Sequence, residues 1–171
     1  MKVDLCGQET RLGVFEKVEA YLAGQSLSIH SKDLGRPWGG FFAINEDQAE
    51  TFARLFFPEL SFEALRGGGR LSPKILMVEP HKKLSWQYHH RRAEIWKSIH
   101  REVGVVRSPT DEQGPVCILK EGEAIELSQG ERHRLVGLET WGVVAEIWLH
   151  TDANAPSDED DIVRLEDEFG R

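Results

Sequence analysis

From Arg70 to His150 the chain is a series of short apolar runs, each stopped by Gly, Pro or a charged turn. They are Lys74 to Glu79, Leu84 to His89, Arg92 to His100, Val103 to Arg107, Val116 to Leu119, Ala124 to Leu127, His133 to Leu138 and Val143 to His150. Runs of this length and composition read as β-strands. Eight in succession predict an all-β fold, an antiparallel jelly-roll barrel closed on itself or folded as two facing sheets.

Short peripheral helices are expected before the barrel. Thr10 caps one in which Leu12, Phe15, Val18 and Leu22 recur at helical spacing up to Gly24. Asn45 caps a second, Glu46 to Phe57, stopped by Pro58, with Phe52, Leu55 and Phe56 on its apolar side. Between them Arg36-Pro37-Trp38-Gly39-Gly40 opens a short aromatic strand through Ile44. Gly67 to Gly69 reads as a connector, because no Lys-Ser or Lys-Thr helix start follows to make a phosphate loop.

A length of 171 residues fits one domain, with 1–35 as a helix and strand extension and 36–171 as barrel and tail. The formal charge of −8 argues against a nucleic-acid surface, which needs a basic stripe. Cys6 and Cys117 are far apart and have no CxxC spacing, so neither a disulfide framework nor a zinc knuckle is expected. The first part of the chain has no apolar core of signal-peptide length, and no later run approaches a membrane span. The expectation is a cytoplasmic protein with neither nucleic-acid nor membrane partners.

Chemistry concentrates in Leu84 to Trp96, LSWQYHHRRAEIW. Gln87 and His89 share a strand face, and Glu94 follows at the start of the next strand. A glycine turn at Gly130 then delivers His133 to another strand. Gln87, His89, Glu94 and His133 together suit one divalent ion of borderline hardness, with a position left open for substrate. Zinc is the expected ion, with manganese, cobalt, iron and nickel as alternatives. Period two puts Arg92 on the face of Glu94, Trp96 and Ser98, where a guanidinium suits a developing oxyanion or a phosphate. Pairing with a carboxylate such as Glu146 is its structural alternative.

The pattern Gln87, His89, Glu94, then Gly130 and His133, resembles the two metal-binding motifs of the cupin barrel. Arg36 to Gly39, Leu84-Ser85, His89-His90, Arg92 to Glu94, Trp96, His133 to Leu135 and the tail Glu159 to Arg164 through Glu166-Asp167 and Gly170-Arg171 are similar, more narrowly, to the type II mannose-6-phosphate isomerase domain. In that family the domain is often fused behind a mannose-1-phosphate guanylyltransferase. The sequence departs from the family at His81 and Arg101, where glycines are usual, at Ile95 in place of a histidine, and at Gly137 in place of an asparagine.

The resemblance implies a metal-dependent aldose–ketose isomerase acting on a phosphorylated sugar, of the mannose 6-phosphate to fructose 6-phosphate kind. A heptose or pentose phosphate would satisfy the same groups. Arg92, Lys74 and Glu146 are the catalytic candidates, the last two as bases. Arg36, Lys74, Arg134 and Arg164 are the substrate-binding candidates, Arg164 through a tail folded back toward the pocket. The departures at Ile95 and Arg101 support an alternative, a non-catalytic sugar- or nucleotide-sugar-binding cupin. An iron dioxygenase is a third reading, against which Gln87 counts. A homodimer is expected, with Gln25 to Ile44 adding strands to a neighbour.

Overall fold

The computed structural model describes residues 3–5 and 9–170, so Cys6 and Arg171 lie outside the described residues. Among the described residues, eleven strands form two antiparallel sheets. The first carries β1 (Ile29–Asp33), β2 (Gly39–Ile44), β3 (Lys74–Val78), β10 (Gly142–His150), β5 (Arg92–His100) and β8 (Ala124–Leu127), in that spatial order. The second runs β11 (Val163–Glu166), β4 (Trp86–Tyr88), β9 (Arg132–Val136), β6 (Val103–Ser108) and β7 (Cys117–Leu119). The jelly roll read from the strand series is present, and its eight expected runs are β3 to β10, with ends shifted slightly.

Period two divides the apolar residues between two cores. Trp96, Val105, Leu127, Leu135 and Val144 point between the sheets, while Ile75, Met77, Ile95, Val143, Ala145 and Ile147 point outward beneath the helices. β10 is buried on both faces, which is why Val143 to Trp148 is continuously apolar apart from Glu146. A charge placed among such residues requires partners.

The helix α1 (Arg11–Gly24) covers the outer core with Val14, Phe15, Val18 and Leu22, and Thr10 Oγ1 accepts from Gly13 N at 3.2 Å as its cap. Leu12 was expected in this stripe but is exposed, and Val14 takes its place. Asn45 makes no side-chain cap, because a 3-10 turn, Glu46–Gln48, comes before α2 (Ala49–Phe56). Glu46 instead turns back and accepts from Leu71 N at 2.6 Å and Ser72 N at 2.9 Å. A further short helix, α3 (Phe62–Leu65), is capped by Ser61 and leads into a 3-10 turn at Arg66–Gly68. β1 pairs antiparallel with β2 and forms one edge of the first sheet.

The departures from the family pattern have local causes. His81 and Arg101 stand at φ of 60° and 58°, the left-handed region in which glycine is strain-free. At Gly137 a Cβ would meet the Glu79 carbonyl oxygen at 2.0 Å, so this backbone admits no asparagine. Arg101 contributes its backbone to the turn, its N–H donating to Glu121 Oε2 at 2.9 Å and its carbonyl accepting from Ser98 Oγ. Arg101→Gly retains both contacts and removes the strain. It should raise unfolding stability by about 1 kcal/mol in urea melts, and an unchanged or lower midpoint would contradict that assignment of strain.

Candidate functional site

The two metal motifs meet where the second sheet faces β5. Gln87 on β4 lies in register with His133 on β9, and Gly130, at φ 76°, donates its N–H to the His89 carbonyl at 3.0 Å. Glu94 reaches across from β5. The ligating atoms of His89, Glu94 and His133 all lie within 4.8 Å of one another, and all three residues are buried.

Each imidazole is oriented by a backbone carbonyl. His89 Nδ1 stands 2.6 Å from the Asp161 carbonyl oxygen and His133 Nδ1 stands 2.9 Å from that of Glu131. A carbonyl only accepts, so both Nδ1 atoms carry protons, and in the neutral, metal-ligating form of each ring the Nε2 atom presents its lone pair toward Glu94. His89 Nε2 lies 3.1 Å from Glu94 Oε1, and His133 Nε2 lies 3.4 Å from Glu94 Oε2. Neither Glu94 Oε2 nor His133 Nε2 has a hydrogen-bond partner. Two buried acceptors facing each other with no donor between them fit a cation, and two imidazoles with a carboxylate fit a divalent metal. The Gln87 side chain faces the adjoining cavity, and its Oε1 accepts from Ser85 Oγ at 2.5 Å.

Arg92 brackets the other half of the trio. Its Nε donates to Glu94 Oε1 at 2.8 Å, and one terminal nitrogen stands 3.2 Å from His89 Nε2. The other donates to Ser157 Oγ and the Asp158 carbonyl, and the guanidinium lies over the Trp148 ring at 3.6 Å. Its carboxylate partner is thus Glu94, not Glu146. Burial works against ionisation of Glu94, but in the metal-free site with protonated rings the charges of His89 and Arg92 and the hydrogen bonds from the two histidines outweigh it, holding the group well below the usual carboxylate range.

A cavity of about 400 Å³ opens beside this trio. Gln87, Arg92 and Glu94 form one wall; Lys74 and Glu146, opposite each other on β3 and β10, form another. Both Glu146 oxygens accept indole N–H bonds at 2.8 Å, from Trp96 and Trp148. Burial, with the charge of Glu94 added, nevertheless raises Glu146 to about 7. Lys74 pairs with Glu159 and lies over the rings of Trp148 and Phe41.

Arg36 and Arg164 also line the cavity, Arg36 paired with Asp33 at 2.8 Å and Arg164 in register with Gln87 on β11. Arg134 does not reach it. As the neighbour of His133 on a strand it takes the opposite face, donating to the Leu84 carbonyl, Gln113 and Glu166. The substrate contact expected of Arg134 is therefore replaced by a role in tying β9 to the tail.

Sequence reasoning missed three groups. Arg11 of α1 donates to the carbonyls of Leu34, Arg36 and Gly39, fixing the loop that carries Arg36. Glu159 covers Lys74, and Asp161 holds the ring of His89. An arginine in a first helical turn carries no signal of such a role; the tail's only signal was its resemblance to the family motif.

The structural similarities agree with this architecture. A mutant oxalate decarboxylase of Bacillus subtilis superposes with a TM-score of 0.55 at 13% identity, over 79% of this chain and 30% of that one. The capsular polysaccharide assembling protein CapF of Staphylococcus aureus does so at 0.51 and 15%, over 82% and 34%. At these identities they establish the cupin fold alone. In sequence, the xanthan biosynthesis protein XanB of Xanthomonas campestris pv. campestris (strain B100) is 28% identical over 98% of this chain. The mannose-1-phosphate guanylyltransferase ManC of Salmonella typhimurium is 28% identical over 92%. The chain spans 30% and 26% of their respective lengths. The family model described as mannose-6-phosphate isomerase C-terminal matches residues 44–167, which hold every metal-ligand candidate, and the chain belongs to that family of cupin domains.

Proposed function

We propose that this domain is a metal-dependent aldose–ketose isomerase of phosphorylated sugars, with mannose 6-phosphate and fructose 6-phosphate the first pair to test. The observation that carries the reading is the pair of facing acceptors at Glu94 and His133, set beside a cavity that also holds a carboxylate raised to about 7. Gln87, His89, Glu94 and His133 would hold one divalent ion, zinc first among the candidates, and such an ion supplies an electrophile for the carbonyl and enediolate oxygens.

The chain's own residues supply the rest. Glu146, buried between two indole donors, is placed to carry a proton between C2 and C1, and a pKa near the working pH suits that task better than a lysine engaged by Glu159. Lys74, Arg36 and Arg164 are cations at the cavity wall for the phosphate, with Glu159 yielding Lys74 to it. Arg92, whose donors already meet Glu94, His89 and the tail, orients the ligands and offers substrate only its cavity-facing edge. A binding protein for a sugar or nucleotide sugar is the second reading, favoured by that same saturation of Arg92. The other pentose or heptose phosphates belong in the substrate panel.

Aldose phosphates incubated in D2O with zinc- or manganese-reconstituted protein should lose their C2 proton signal by NMR and give the ketose. A panel that stays unexchanged with metal bound would leave only the binding reading.

Glu146→Gln should lower kcat by about 100-fold or more with metal content unchanged, as expected for loss of a general base. In metal-free protein the same residue has a second signature. Its folded pKa of about 7 lies above the ordinary 4.5, so the stability it contributes is fully present below the ordinary value and is lost as pH rises through about 7. Thermal melts at about pH 5 and about pH 8 should show a smaller difference in Glu146→Gln than in wild type. Equal differences would remove the raised carboxylate from the mechanism.

A further inference from the structure

We propose that Asp161 is the positioning residue for His89: its main-chain carbonyl sets the ligating tautomer of the ring, and its carboxylate anchors that carbonyl in place. The proposal rests on the metal centre described above, but its two parts are separately measurable.

His89 lies just past the end of β4, where its carbonyl accepts from Gly130 N, whereas His133 lies within β9. The two imidazoles are accordingly oriented by different means. His133 takes its carbonyl from Glu131, two residues away on the same strand approach. His89 takes its carbonyl from Asp161, in the tail, at 2.6 Å.

The tail is held there by the Asp161 side chain. Oδ1 accepts from His90 N at 2.9 Å, and Oδ2 accepts from Arg91 N at 3.0 Å and Ser157 Oγ at 2.5 Å. One carboxylate thus grips the two residues that follow His89 while its own carbonyl grips the ring, so the ligand and its orienting group cannot shift independently. Ser157 also accepts from Arg92, the guanidinium that contacts Glu94 and His89 Nε2, and its N–H donates to His150 Nδ1 at 2.9 Å. Asp158 Oδ1 closes the loop by accepting from the N–H groups of Asp160 and Asp161. A tail that merely covered apolar surface would have no reason to direct a carbonyl to a ring nitrogen of a buried ligand. Without that acceptor the proton is free to sit on Nε2, the atom a metal needs unprotonated.

The test compares wild type, Asp161→Ala, Asp161→Asn and, as a control at the start of the tail, Asp152→Ala. Zinc affinity is measured by chelator competition, and histidine ring 15N shifts are recorded on the metal-free proteins. Asp161→Ala should weaken zinc binding by about 10- to 100-fold, the range for loss of a group that orients a ligand. In the same protein the His89 signals should move from the Nδ1–H tautomer to a mixture while those of His133 stay put. Asp161→Asn keeps an acceptor for one of the two N–H groups and should restore part of the affinity, and Asp152→Ala should match wild type. If Asp161→Ala does not fold, Ser157→Ala, which removes one donor from the carboxylate, should give a smaller change in the same two readings. Wild-type affinity in Asp161→Ala, or a weakened affinity with an unmoved His89 tautomer, would overturn the proposal. A wild-type protein that takes up no zinc would defeat the metal centre instead, and the 15N shifts of the metal-free chains would still decide whether Asp161 fixes the ring.

Discussion

The buried carboxylate of Glu94 is the constraint on which the rest of this structure depends. It sits near the start of β5, between Trp148 of β10 and Leu127 of β8, and is 2% exposed. A lone carboxylate there would be strongly destabilising, so the chain surrounds it with groups that favour its charge. Arg92 donates to one oxygen and the two imidazoles face it from the opposite sheet. That grouping leaves one oxygen and one imidazole nitrogen unpaired, and this remaining need is what turns a packing problem into a candidate metal centre.

The same charge acts on its neighbourhood. Burial is the first reason that Glu146 is raised to about 7, and the proximity of Glu94 is the second. Two carboxylates in one barrel are thereby driven apart in proton affinity, one held ionised as a ligand and one poised for proton transfer, a division that acid–base chemistry requires. Segments near both ends of the chain hold the cavity around these two groups. Near the beginning, Arg11 braces the loop of Arg36; near the end, Ser157 to Asp161 closes over Lys74, Arg92 and His89.

The fold was legible in the sequence because a strand needs only its period and its stops. β5 and β8 fell where the runs of Val, Ile, Leu and Trp placed them, and Gln87, His89 and Glu94 were readable from spacing within neighbouring strands. Where several partners compete, local pattern was insufficient. Alternation places Arg134 opposite His133, yet its guanidinium is buried because the tail covers that outer face, which no local pattern announces. Asn45 has the composition of a helix cap, but the 3-10 turn that follows and the reach of Glu46 to Leu71 and Ser72 decided the geometry there. The role of Asp161 was hidden for the same reason: the family motif marks its segment, but by composition it belongs to an acidic loop, and only contacts across the chain show its carbonyl meeting His89.

X-ray absorption at the zinc edge of the reconstituted protein tests the metal centre most directly, because it reports the donor atoms themselves. One ion per chain, with nitrogen and oxygen donors at about 2.0 to 2.2 Å and the scattering signature of two imidazoles, is the predicted result. A shell of water oxygens alone, a sulfur donor, or no stoichiometric zinc would show that Glu94, His89 and His133 pair for structural reasons only.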